Sequence, residues 1–354
     1  MAAAFPLCVI GAGSIGMRHI EVASNLPLIE LTAVVEANPG RRAALQQQGL
    51  PMVADMADVP SRTKACVIAT PTQAHYQNAL DAISRGWGGI VEKPLTATIG
   101  EARALIHAAR AADVPLVTGH HRRCHPFTIE ARARLPQIGN LVAVQGLWCL
   151  RKHDSYFDAS WRRHAGAGVL MTNLSHELDL LRFLIGDISQ VSALSSHSQR
   201  GLEVEDSSTL ALRFASGALG SFLISDAGAS PWSFEAGSFE NPAIGGTGQD
   251  YLRLIGTMGA LEFPSLTQWV AGQAGAVEWS KPLICKHGPE IAQVDPIAQQ
   301  MMRFVRLMEG QSDDVLCSGA DGLAAMQATL ATALSAKLGR AVTMAEVGDD
   351  FRGV

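Results

Sequence analysis

Residues 7–16 read Leu-Cys-Val-Ile-Gly-Ala-Gly-Ser-Ile-Gly, a short apolar run closed by a glycine-rich turn. The run predicts a strand, and the stretch after it, to about Asn25, a helix. Gly11-x-Gly13-x-x-Gly16 at a strand–helix junction suits a dinucleotide pyrophosphate. Its glycines permit a tight turn, close backbone approach and close helix–strand packing. The helix start, at Ser14, Ile15 and Gly16, offers N–H groups and a partial positive charge to phosphate. Glu36 ends the next apolar run, 20 residues after Gly16, where an acid accepts hydrogen bonds from the adenosine ribose hydroxyls.

Outward from this stretch the rhythm continues. Strands are expected at 31–36, 65–69, 89–92 and 115–118, alternating with helices at 39–48, 72–85 and 99–112. Such alternation predicts a doubly wound parallel sheet, a Rossmann-type α/β domain. Continuous short apolar strands fit a sheet covered on both faces. After about His120 the pattern changes to strands at 141–150, 188–196, 207–214, 219–225 and 251–255, with helices at 170–185, 296–308 and 321–338. That reads as a second, α+β domain. The expected domains are 1–122 and 123–354, with the last helix packing back towards the first. In that helix Leu323, Met326, Leu330, Leu334 and Leu338 form one stripe, and Gly339 is a C-terminal stop. Residues 229–250, with Trp232, Phe234 and Phe239, lack periodicity and read as a lid, a subunit-contact arm or a plain surface loop.

Composition narrows the function classes. The 354 residues carry 28 Lys and Arg against 33 Asp and Glu, a net charge of −5, with no long basic run. A nucleic-acid groove is not expected. No apolar run reaches the roughly 18–20 residues of a membrane span, and residues 1–10 read as a first strand rather than a signal peptide. Six cysteines without Cys-x-x-Cys spacing fit reduced thiols, so a cytoplasmic location is expected. His120, His121, Cys124 and His125 cluster in sequence, but neighbours on an extended strand face opposite ways and no second ligand group has suitable spacing. No metal is expected.

Glu36 also bears on the choice of dinucleotide. A 2′-phosphate charge about 4 Å away, at an effective dielectric near 20, is repelled by about 4 kcal/mol before solvent reduces it. A quarter of that is about fivefold in affinity. NAD is therefore favoured over NADP, although Arg41 and Arg42 offer a 2′-phosphate partner if Glu36 turns away. Ala69-Thr70-Pro71, with Thr72 as a helix N-cap and His75 one turn on, lies at a strand's carboxyl end, where open α/β sheets bind ligands.

Glu92-Lys93-Pro94 ends the fourth expected strand of this series. With the glycine turn, Ala-Thr-Pro-Thr-x-x-His75, Gly119-His-His-Arg-Arg-Cys-His-Pro126, Trp161-Arg162, Gly166-Ala-Gly168 and His176-Glu-Leu-Asp179, it resembles the glucose–fructose oxidoreductase/inositol dehydrogenase/MocA family along nearly the whole chain. The resemblance implies a Rossmann domain joined to an α/β domain with a large, mostly antiparallel open sheet. It implies a homodimer or homotetramer contact through that sheet, and hydride transfer between NAD(P) and a sugar, polyol or related cyclic alcohol. It gives Lys93 the catalytic place beside nicotinamide, where an ammonium stabilises a developing alkoxide and relays its proton. His176 becomes a general acid/base, oriented by Asp179, with Thr172 and Asn173 positioning substrate. Glu92 and His121 fall beside the cofactor. Trp161 and Arg162 line the cleft, with Arg163 a rival and a plain surface position open to both. Arg123 is a weaker candidate of the same kind.

The chain also departs from that family's pattern. Thr172 stands where many members carry an aspartate, His121 where asparagine is common, Cys124 where phenylalanine is common, and Ala167 within a glycine run. A neutral residue at 172 cannot serve as a general base, so proton transfer either rests on Lys93 and His176 or passes through Thr172 and water. Two further readings follow: a weakly catalytic NAD-binding sensor or partner protein, and an aromatic dihydrodiol dehydrogenase whose ring meets Trp232 and Phe234.

Overall fold

The computed structural model describes residues 3–272 and 277–353. Met1 and Ala2, the start of the stretch expected to form the first strand, lie outside the described residues. The chain forms two compact units, Met1–Cys124 with Asp295–Leu323, and His125–Val294 with Ala324–Val354. Among the described residues no helix is long and apolar enough to cross a membrane.

In the first unit six parallel strands, β1 (Phe5–Ile10), β2 (Ile29–Val35), β3 (Met52–Val53), β4 (Ala65–Ile68), β5 (Gly88–Val91) and β6 (Leu116–Thr118), lie in the order β3-β2-β1-β4-β5-β6. The helices between them are α1 (Ser14–Asn25), α2 (Pro39–Gln47), α3 (Thr72–Ser84) and α4 (Ile99–Ala111). Leu7, Cys8, Val9, Cys66, Val67, Ile68, Ile90 and Val91 are all buried, as the continuous apolar runs required. The order reverses between β1 and β4, and ligands bind outside strand carboxyl ends at such a point. Burial pushes the Cys8 thiol up to about 12, so it stays protonated inside the sheet.

The C-terminal third does not belong wholly to the second unit. Helix Pro296–Met308 buries Ile297, Met301, Phe304 and Val305 within the first. Arg18 of α1 meets Asp295 at its start, 2.5 Å away. In the following segment Cys317 O accepts from Thr118 N–H, extending the edge beyond β6. The single crossing expected at 122/123 thus gives way to a chain that leaves and returns, because α1 and β6 need this cover.

The second unit is built on nine strands. They are β7 (Leu141–Cys149), β8 (Ile188–Ser196), β9 (Ser207–Phe214), β10 (Leu219–Ser225), β11 (Leu252–Gly256), β12 (Gly259–Phe263), β13 (Gln268–Ala271), β14 (Leu283–Lys286) and β15 (Val342–Thr343). Their order is β14-β13-β12-β11-β7-β10-β9-β8-β15, antiparallel except for β7 with β10. One face buries Trp148, Phe222, Leu254 and Phe263. The other carries cross-strand rows that include exposed Leu219, Ile255 and Trp269, and exposed Leu194 and Leu223. The strands expected from sequence correspond to β7–β11, and β12–β15 were not among them.

Helix 170–185 is not uniform. Leu170–Leu174 is a wide π-type turn, where Ser175 N–H reaches back to Leu170 O, and α-helix follows over Ser175–Ile185. Residues 229–250 are not a loop throughout. Phe234–Ser238 is a short buried helix whose Ser233 side chain accepts from Ala236 N. This half of the stretch is core rather than lid, held by Trp148 Nε1–H donating to Glu235 Oε2 at 2.8 Å.

Candidate active site

In the first unit the sequence-selected residues gather along one edge, because parallel strands end there together. Gly11 has φ +96°, and a Cβ on it would stand 2.7 Å from Ala69 O. A Cβ on Gly16 would stand 2.0 Å from Gly11 O, whereas at Gly13 nothing lies within 4 Å. The turn is thus closed on its protein side and open at Gly13, and no side chain caps the start of α1. Ser14 and Ile15 are exposed at that opening. This is the cradle an anionic pyrophosphate needs.

Glu36, next to β2, is largely buried. Its carboxylate accepts from Ala12 N at 3.3 Å and Asn38 N at 2.8 Å. A carboxylate has about four acceptor positions, so capacity remains for ribose hydroxyls. Arg41 Nη1 lies 3.7 Å from Glu36 Oε2, and Arg42 donates to Glu36 O at 2.7 Å. Both arginines therefore already attend the acid.

Glu92 and Lys93 follow β5, with a cis Lys93–Pro94 peptide. Glu92 Oε1 takes a 2.7 Å hydrogen bond from His19 Nε2 of α1, and Oε2 accepts from Lys93 N at 3.1 Å. Burial works to raise this carboxyl. The His19 bond and charge, then His121 and Lys93, outweigh it and hold it at about 2. Glu92 is thus a buried anion that fixes the backbone under Lys93, and Lys93 itself is half-buried. A Cβ on Gly119 would come 2.9 Å from the Glu92 carboxyl, so that neighbour must stay bare.

One expectation in this unit needs correction, and the structure gives two further candidates partners within the protein. Thr72 is the first residue of α3 rather than its N-cap, which is Pro71. His75 was expected to touch a cofactor, but both ring nitrogens meet backbone carbonyls, Nδ1 at Pro94 O and Nε2 at Thr70 O, each at 2.9 Å. It sits between the loops after β4 and β5, and burial lowers its pKa, favouring a neutral ring that donates to one of the two carbonyls. Arg123, expected to bind substrate, is buried and paired with Asp321 at 3.4 Å.

In the second unit the candidates share one helical run. Thr172 Oγ1 has one proton to give, to Gly168 O at 2.8 Å or to Asn173 Oδ1 at 2.9 Å, and Lys152 Nζ donates to it at 3.2 Å. His176 and Asp179 lie on the α-helix and are buried, as are Ser175, Glu177 and Leu178. Tyr251 Oη donates to Glu177 Oε2 at 3.0 Å from within a cluster with Phe234 and Phe263. Glu205 Oε1 receives Leu170 N–H at 2.9 Å at the start of the run, and burial raises its pKa. Trp161 is 60% exposed. Arg162 lies 3.9 Å over the Tyr156 ring and donates to Tyr156 O.

Two family models of one kind match. Residues 5–120 fit the oxidoreductase family with an NAD-binding Rossmann fold, and 128–262 fit the GFO/IDH/MocA C-terminal domain. The chain belongs to the Gfo/Idh/MocA family. Rhizopine catabolism protein MocA of Rhizobium meliloti is 30% identical over 186 residues, 51% of this chain and 57% of that protein. The 1,5-anhydro-D-fructose reductase of Ensifer adhaerens is 34% identical over 45% of this chain and 49% of its own. The match thus spans about half the length of these relatives. An oxidoreductase from Agrobacterium radiobacter, solved with NAD+, L-tartaric acid and magnesium, shares the fold at TM-score 0.80 and 19% identity, over 97% of this chain and 99% of that one.

Within this Gfo/Idh/MocA frame, the structure adds residues that the sequence reading missed. His19 is one, since its partner lies 73 residues away. Lys152, Glu205 and Tyr251 are others, each acting on the 170–185 run from outside it. Phe234, half of the case for an aromatic substrate, is fully buried and offers no surface to a ring.

Proposed function

We propose that this protein is an NAD-dependent dehydrogenase or reductase acting on a secondary alcohol or ketone of a sugar, polyol or related cyclic alcohol. The observation that carries this reading is the edge of the first unit's sheet. There an open glycine turn, an acid with acceptor capacity and a lysine on a fixed backbone follow the ends of β1, β2 and β5. The names of the relatives support the substrate class, among them the scyllo-inositol 2-dehydrogenase (NAD(+)) of Bacillus subtilis, 25% identical over 54% of this chain and 56% of its own.

In this reading Gly11, Gly13 and the N–H groups at Ser14, Ile15 and Gly16 hold the pyrophosphate. Glu36 accepts from the adenosine ribose, and Ala69, Thr70 and Pro71 border the dinucleotide. The bound nicotinamide supplies the hydride acceptor or donor. Lys93 stabilises the alkoxide oxygen and takes or returns its proton. His176 is the second acid/base group, and Thr172 and Asn173 position substrate hydroxyls. Glu36 beside Arg41 supports NAD over NADP, because the acid meets a 2′-phosphate with like charge. The exposed apolar rows of the nine-stranded sheet support self-association through that face, and light scattering on the eluted protein tests it: a monomer ends that part of the reading.

The test of function is absorbance at the reduced-nicotinamide band, with NAD or NADP against polyols, sugars, hydroxy acids and dihydrodiols. Turnover with NAD on a polyol or sugar is expected. Binding of NAD with silence across the panel would favour the sensor reading that Thr172 suggests.

A further inference from the structure

The second unit holds a lysine that no motif singles out. Lys152 follows β7, and Asp226 follows β10, the one parallel pair in that sheet. The ladder continues past both strands, with Leu150 N donating to Ser225 O and Lys152 N to Asp226 O. That register sets the two side chains together, Lys152 Nζ 3.1 Å from Asp226 Oδ2. Arg200 approaches the same carboxylate at 3.6 Å and donates to Asp226 O. The ammonium is mostly buried, lies 4.6 Å over the Tyr156 ring, and reaches Thr172 Oγ1 at 3.2 Å.

A lysine ammonium only donates, so Thr172 Oγ1 must accept from it. The hydroxyl then passes its own proton towards Gly168 O or Asn173 Oδ1. A continuous polar path therefore runs from a buried carboxylate, through Lys152, to the pair that flanks His176. Thr172 and Asn173 both sit in the π-type turn rather than in regular α-helix. Such turns recur where a helix is adapted to function. Burial lowers the Lys152 pKa more than Asp226 raises it, as expected for a charge taken out of water and held by few partners.

We propose that Lys152, held by Asp226, is a positioning and specificity-determining residue that fixes Thr172 and Asn173 for substrate. The carboxylate many members of the family carry at 172 is here set back to Asp226 and reaches the helix through an ammonium. This rests on the reading of Thr172 and Asn173 as substrate contacts.

The experiment is a double-mutant cycle of Lys152→Met and Thr172→Val, read on the whole protein with NAD and the best substrate of the panel. Lys152→Met should raise KM about tenfold or more, with the NAD dissociation constant within twofold. Thr172→Val should do much the same, and the double variant should be little worse than either. Lys152→Arg should recover part of the KM. Additive KM effects, or an unchanged KM in Lys152→Met, would overturn the proposal while leaving the dehydrogenase reading intact. The same cycle read as melting temperature needs no turnover. Non-additive losses are expected there too, and strict additivity would show that the two side chains do not act together. A wild type silent on every substrate, with a non-additive melting cycle, counts against the dehydrogenase reading and for the Lys152 contact. Asp226 keeps Arg200 in Lys152→Met, so the variant leaves no isolated buried charge.

Discussion

In the first unit key candidate residues stand directly after strand ends: Gly11 after β1, Glu36 after β2, Ala69 after β4, Lys93 after β5. In the second unit Thr172, Asn173 and His176 stand on a helical run, and the groups that hold this run come from far along the chain. Lys152 is 20 residues before Thr172, Glu205 is 35 after Leu170, and Tyr251 is 74 after Glu177. A parallel sheet brings strand ends together by topology alone, so local motifs suffice to locate the edge. A helix beside a mostly antiparallel sheet has no such edge, and its polar groups are satisfied by whichever segments flanking the strands reach it.

The largest expected effect tests the first region. Lys93→Ala should lower kcat by about a thousandfold, within the usual span for a positioned acid or base, with NAD affinity within a few fold. Steady-state rates and a fluorescence titration with NAD check both halves. Normal turnover in this variant would take the lysine out of the chemistry.

The next effect concerns what lies beneath that lysine. Glu92 is held at about 2. A depressed acid stabilises the fold above its unfolded pKa of about 4.5 and loses that contribution as pH falls towards 2, worth about 3 kcal/mol in full. His19→Leu removes the donor that leads the shift. Urea unfolding should show the variant much less stable at pH 7 and closer to the wild type at pH 3. An equal gap at both values would mean that packing, not charge, explains His19.

A smaller effect belongs to the second region. Tyr251→Phe deletes the hydroxyl that meets buried Glu177 and should cost about 1–3 kcal/mol, measured by denaturant titration. It should also raise KM, because Glu177 is the neighbour of His176. A KM change without a stability change would contradict the view that the tyrosine anchors the helix.

Much of this contrast was legible in the residues and some was not. The glycine turn and Glu36 could be picked out because their places follow from strand–turn–helix order, whereas Glu92-Lys93 was picked out by the family resemblance. His75 was ambiguous, since its position after a strand fits a ligand contact as well as the place it takes between two loops. Arg123 gave no sign of its partner, because a buried pair with Asp321 leaves no local pattern. The 170–185 stretch was recognised as helical, but its π-type start was not, because the apolar stripe is compatible with either winding. Lys152 was invisible for a plainer reason: its meaning depends on the parallel register of β7 with β10, which no short window of sequence carries.

The smallest effect returns to the edge that the sequence read most clearly, and asks whether Glu36 alone chooses the dinucleotide. Its Oε2 accepts from Ala12 N and lies 3.7 Å from Arg41 Nη1. Glu36→Gln keeps an oxygen for Ala12 N–H but removes the negative charge. The ratio of kcat/KM for NADP to that for NAD should rise about fivefold, the size of a screened repulsion near 1 kcal/mol. Arg41, released from its acid, would then meet the 2′-phosphate, so adding Arg41→Ala should return part of the gain. If the ratio stays constant in Glu36→Gln, then NAD preference comes from elsewhere on the loop. If it rises equally with and without Arg41, the acid acts by repulsion alone and the arginine is only its surface counter-ion.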